Sequence, residues 1–91
     1  MKIPSELQTV QDYVRYGASL FNQNQLFFGH GTQNAWDEAY QLVLHTLHFP
    51  LDFEIDIRNC QLLECEKKAI LEIFQLRIDS RKPAPYLTHK A

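Results

Sequence analysis

His45 and His48 stand three residues apart in the run HTLH, and His30, Cys60 and Cys65 are the other side chains able to ligate a metal with them. A zinc site gathers three or four such ligands in one place. On a helix the spacing puts His45 and His48 on one face, which also carries Gln41 and lies opposite the apolar stripe. They read as surface histidines. No His-Glu-x-x-His pattern is present, and no metal ligand is expected. A nucleophilic cysteine is no better supported, because Glu64 and Glu66 place two negative charges beside any thiolate at Cys65. Asp37 and Glu38 are adjacent, so on a helix they point about 100° apart and cannot face each other as acid and base. The run Gly29-His30-Gly31-Thr32 lacks the preceding strand and following lysine of a phosphate cradle. Its glycines suit a chain reversal between two helices. The residues therefore give no catalytic group and no cofactor site.

The elements that position these residues are helical. Leu7, Val10, Val14, Gly17 and Phe21 recur at three-and-four spacing, with Tyr13, Tyr16 and Leu20 widening the face. Ser5 is the expected N-cap, with Gln8 as its capping-box partner, and the run from Asn22 to Gln25 ends the helix. A second helix starts at an Asn34 cap, with Asp37 and Glu38 at the positive end of its dipole. Its buried stripe is read as Trp36, Ala39, Tyr40, Val43, Leu44 and Leu47, and Pro50 stops it after Phe49. The third helix is predicted from Leu63 to Arg81. Ala69, Ile70, Ile73, Phe74, Leu76 and Ile78 cover more than one stripe of it, leaving Lys68, Glu72, Gln75 and Asp79 as its polar edge. The fold class expected is all-α, a small bundle of three principal helices with a short helical turn around Asp52 to Ile57 as an optional fourth element. Lys82 to Pro85 breaks the last helix, and PYLTHK reads as an extended segment cut off from what would pair with it.

Composition agrees with an ordinary globular domain: 91 residues, 45% hydrophobic and 22% charged, with no apolar run long enough to cross a membrane. No secretory signal opens the chain, and two cysteines five apart make a poor disulfide; both point to reduced thiols in the cytoplasm. The net charge of −2 is divided unevenly. Residues 1–66 carry nine acids against Lys2, Arg15 and Arg58, whereas residues 67–91 carry six basic residues against Glu72 and Asp79. That basic tail is thinner than an RNA-binding arm, so no direct nucleic-acid contact is expected.

The stretch FGHGTQNAWDEAYQLVL, followed by LHFPLD and RKPAPYLTHKA, resembles one family over essentially the whole chain. This is the N-terminal domain of the bacterial protein glutamine methyltransferases acting on large-subunit ribosomal protein three, relatives of the release-factor glutamine methyltransferases. Ala35 stands where that family carries a proline, and His89 where it carries an asparagine. The resemblance implies a helical domain, residues 1–82, joined by a linker that starts at 83–91 to a doubly wound domain. That second domain binds S-adenosylmethionine and holds the amide in an Asn-Pro-Pro-Tyr motif. Pro4, Pro50, Pro83 and Pro85 form no such motif, so the resemblance implies an accessory role for this chain and not the catalysis. It implies two partners, the catalytic domain of the same parent chain and the ribosomal-protein substrate. His30, Gly31, Thr32, Asn34, Trp36 and Asp37 are the candidates for substrate contact, each with a structural role as corner, cap or core anchor as the competing reading. Ile70, Phe74, Arg77 and Tyr86 are the candidates for an interdomain surface, because so apolar a third helix implies covering on a second side. Three other readings stay open: a free-standing helical adaptor that binds a partner through the exposed side of the third helix, a small RNA-associated protein and, last, a self-sufficient enzyme; self-association of the fragment to hide apolar area is open as well.

Overall fold

The computed structural model describes residues 3–26, 34–50 and 54–80. Three helices are present among them: α1 (Val10–Gln23), α2 (Ala35–Thr46) and α3 (Glu64–Ser80). They pack into an all-α bundle whose described residues form no strands beyond one isolated antiparallel bridge, Thr9 to Gln61. His30, Gly31, Thr32 and Tyr86 lie outside the described residues, as does the chain from Arg81 onward.

The start of α1 shows how local chemistry and tertiary contact combine. A helix leaves its first backbone N–H groups without intrahelical acceptors. Here the N–H of Val10 donates to Cys60 O and that of Gln11 to Arg58 O, both at 3.0 Å. The N–H of Asp12 donates to Thr9 Oγ1 at 3.2 Å. In return Asp12 Oδ2 accepts from the N–H groups of Gln8 and Thr9, each at 3.0 Å. Thr9 and Asp12 thus make the reciprocal capping box. The expected cap at Ser5 is corrected by four residues. Ser5 bonds instead to Glu6. Leu7, the apolar residue that suggested the earlier start, is buried from a non-helical position.

α1 and α2 close by the same device. Leu26 N donates to Phe21 O and Gln25 N to Asn22 O; Phe49 N donates to Leu44 O and His48 N to His45 O. This 6→1 and 5→2 pairing is the Schellman motif, with the intervening residue left-handed. Those residues are Gln25 at φ 53° and His48 at φ 66°, neither of them glycine. α2 therefore ends at Thr46 and not at Phe49, because the carbonyls of its last turn are captured before Pro50 is reached. The expected helical turn is absent over residues 54–57 (52 and 53 lie outside the described residues). The chain instead turns at Ile57–Cys60, through Cys60 N to Ile57 O at 3.0 Å, and this presents the carbonyls that α1 needs.

The core is built where the three helices meet. Val10, Tyr13, Val14, Ala18 and Phe21 of α1 face Ala35, Ala39, Leu42 and Val43 of α2 and Ile70, Leu71 and Phe74 of α3. Gly17 makes the closest approach: a Cβ there would lie 2.6 Å from Phe74 Cζ and 3.1 Å from Ala39 Cβ. The rings of Phe21 and Phe74 meet edge to face at 5.4 Å. Within this core Arg77 Nε donates to Glu38 Oε2, and both side chains are withdrawn from water. The Arg77 guanidinium also lies 6.0 Å from the centroid of Phe21. Lys67 is buried as well, its Nζ donating to Gln8 Oε1 at 2.8 Å.

These positions correct two expectations. Ile70, Phe74 and Arg77 do not form an outer surface of α3; their four- and three-residue spacing turns them inward against α1 and α2. Glu38 is not merely a helix-start anion, since its carboxylate is spent on Arg77. The expected polar edge of Lys68, Glu72, Gln75 and Asp79 is exposed, and Leu76 stands beside it at 51% exposure.

Candidate functional site

α1, α2 and the segment 54–58 enclose an open cleft of about 370 Å³. It is lined by Gln11 and Val14 of α1, Trp36 and Tyr40 of α2, and Glu54, Ile55, Asp56 and Arg58. Its walls follow from the local structure already described. Trp36 and Tyr40 are four apart and share a helix face. The hydrogen bond from Gln11 N to Arg58 O at 3.0 Å fixes the segment 54–58 against the first turn of α1.

Trp36 was expected in the buried stripe of α2, yet it remains 41% exposed. The burial pattern explains the difference. Ala35, Glu38, Ala39, Leu42 and Val43 turn to the core. Trp36 falls on the flank of that arc, where it walls the cleft. Asn34 and Asp37 are at the helix start: Asp37 N donates to Asn34 Oδ1 at 2.8 Å, and Asn34 Nδ2 to Asp37 Oδ2 at 3.2 Å. That geometry is the cap expected of them, and both are exposed beside Trp36. His48, placed by its backbone past the end of α2, shares no helix face with His45. Among the described residues no group of three or more His, Cys, Asp or Glu could hold a metal.

The electrostatics of the rim are set by one closed pair. Arg58 Nε donates to Asp56 Oδ1 at 3.0 Å and Nη2 to Asp56 Oδ2 at 2.9 Å, while Arg58 N also donates to Oδ1. The side-chain bonds, then the backbone bond, hold the Asp56 carboxyl at a pKa of about 2. Asp56 is therefore ionised at every ordinary pH and is no proton donor or acceptor. The ion pairs among the described residues leave Glu54 unengaged. The lining holds neither cysteine nor histidine, so the cleft offers recognition chemistry: an aromatic wall, an amide and carboxylates. Sequence reasoning identified Trp36 but missed Gln11, Tyr40, Glu54, Ile55, Asp56 and Arg58 as its neighbours. The Asp-x-Arg spacing was a local signal for the ion pair, whereas the docking of that segment on α1 depends on tertiary structure.

Over 94% of its length the chain is 49% identical to the ribosomal protein uL3 glutamine methyltransferase of Neisseria gonorrhoeae. It is 51% identical, over the same share, to the protein of that name from Xanthomonas campestris pv. campestris. The match is to the N-terminal part of these enzymes, as the stretch FGHGTQNAWDEAYQLVL implied. The chain spans 29% and 28% of those two relatives. No protein-family model matches it, and no solved structure gives a significant match. No helix among the described residues is long and apolar enough to cross a membrane.

Proposed function

We propose that this chain, similar along nearly its whole length to the N-terminal part of ribosomal protein uL3 glutamine methyltransferases, is the substrate-side domain of an enzyme that methylates a glutamine side-chain amide in a ribosomal protein. The observation that carries the proposal is the match itself, about half identical across 86 residues of this chain. Residues 1–82 form the helical domain on this reading, and 83–91 lead towards the catalytic domain.

The methyl donor in such an enzyme is S-adenosylmethionine, and the residues described here do not fit it. Gly17, the one glycine among them, is locked inside a helix against Phe74 and cannot form the glycine-rich strand end that cradles such a cofactor. The cleft at Trp36 likewise lacks any run of free backbone N–H groups from a strand end. The described residues therefore take no step of methyl transfer on this reading.

What the domain supplies is selectivity. A pocket around one small amide cannot tell one glutamine from another, so discrimination must come from contacts remote from the reacting atoms. The cleft walled by Trp36 and Tyr40 is a surface suited to such contacts, since exposed aromatics in a concavity are frequent anchors at protein interfaces. The test is to remove residues 1–80 from the longer enzyme and measure kcat/KM on the folded ribosomal protein and on a short glutamine peptide. A loss confined to the folded substrate is expected. Unchanged efficiency and selectivity on both would overturn the proposal.

A further inference from the structure

The chain contains one tryptophan, and it is not in the core. Large aromatic side chains carry most of the apolar area a small domain has to bury, so an exposed one in a concave wall needs a reason. Around Trp36 the cleft supplies Tyr40 as further aromatic wall over the buried Val14, with Glu54 and Asp56 on the segment 54–58.

The charge balance of the lining decides what fits. Arg58 is held in a two-pronged pair with Asp56, and those two charges offset each other. Glu54 is left as the carboxylate that no ion pair among the described residues engages. An anion such as a phosphate would meet this field unfavourably, and a wholly apolar side chain would desolvate Glu54 without replacing its water. A cation on an aliphatic stem satisfies both surfaces. Its methylenes would lie along Tyr40 and its charge against the indole, with its N–H groups turned to the Glu54 carboxylate.

We infer that the Trp36 cleft receives one Lys or Arg side chain of a protein partner. The inference rests on the reading that the domain meets a protein substrate, and it names the chemical class of the contact. Proteins that assemble with RNA neutralise phosphates with Lys and Arg, so a ribosomal-protein substrate offers such side chains.

The experiment is a heteronuclear NMR titration of the 91-residue chain with acetyl-Gly-Arg-Gly-amide and with the same peptide carrying neutral citrulline in place of arginine. The arginine peptide should shift the Trp36 indole N–H, the only one in the chain, together with the Gln11 side-chain amide. Its dissociation constant should lie in the millimolar range, as for a single-residue contact, with the citrulline peptide about tenfold weaker. Glu54→Gln, at an exposed position, should weaken arginine binding about fivefold while leaving the spectrum otherwise folded. Equal affinities for the two peptides, shifts that map outside the cleft, or no shift at the cleft would each overturn the inference. The outcome is separate from the deletion of residues 1–80: a cleft that selects arginine in an enzyme indifferent to that deletion would sink the domain's role and leave the cleft's preference standing.

Discussion

The guanidinium of Arg77 and the carboxylate of Glu38, thirty-nine residues apart in sequence, are hydrogen-bonded inside the core with both side chains shielded from water. The pair ties α2 to α3, and the nearby ring of Phe21 brings α1 to the same point. Removing one member takes a charged partner from the other inside the core, whereas removing both leaves neither charge behind. Glu38→Leu and Arg77→Met should each destabilise the chain by about 3–5 kcal/mol in urea denaturation. The double variant Glu38→Leu/Arg77→Met should recover most of that loss. Strictly additive costs would show that the two side chains are not coupled.

Gly17 gives the second expectation. In an exposed helix interior, glycine to alanine gains about 1 kcal/mol. Here the new methyl would fall 2.6 Å from a buried ring, and Phe74 has little room to yield. Overpacking should reverse the sign, and Gly17→Ala should cost about 1–3 kcal/mol. A raised melting temperature for this variant would mean that α1 and α3 can separate at little cost.

The capping box makes stability depend on acid. The backbone N–H of Gln8, and then that of Thr9, hold the Asp12 carboxyl below its ordinary value of 3.8. A group whose folded pKa is depressed stabilises the fold above its unfolded value, and that contribution is lost as pH falls through the folded pKa. Asp12→Asn should therefore cost about 1 kcal/mol at neutral pH. The difference between the two proteins should shrink on acidification below the ordinary carboxylate range. Asp56 titrates in the same acid region, so the difference between parent and variant is the quantity to follow.

Gln25 and His48 occupy left-handed backbone at the ends of α1 and α2. That conformation costs a residue with a Cβ about 1–2 kcal/mol, which glycine avoids while losing part of the gain to its greater unfolded freedom. Gln25→Gly and His48→Gly should each stabilise the chain, by up to about 1 kcal/mol, as a rise in the urea midpoint at unchanged slope. No gain at either site would imply that the side chain makes a contact worth as much as the backbone strain.

Much of this fold was legible because helices announce themselves by spacing. The stripe from Val10 to Phe21, the Asn34 cap and the polar edge of α3 all follow from local rules. The N-cap at Thr9 was missed because Leu7 fits the periodicity of α1 while lying outside it. The end of α2 was missed because a Schellman motif closed by histidine lacks the glycine that usually marks one. Glu38 and Arg77 occupy core registers with opposite charge, a readable signal, but their pairing needs the packing of α2 on α3. The cleft was the least accessible, since the docking of residues 54–58 on α1 is a purely tertiary event; only Trp36 pointed to it.

The hydrogen bonds from Val10 and Gln11 to the carbonyls of Cys60 and Arg58 set an order of events during synthesis. The first turn of α1 lacks those two acceptors until the chain roughly fifty residues further on has been made. At about 5–20 residues per second, that interval is roughly 3 to 10 s. For that time the amino end of α1 has its Thr9–Asp12 box but not its tertiary acceptors, and the cleft beside Trp36 lacks one wall. A nascent chain whose emerged part ends before Arg58 should therefore leave the first turn of α1 open to protease and amide exchange, and one that has emerged past Leu62 should not.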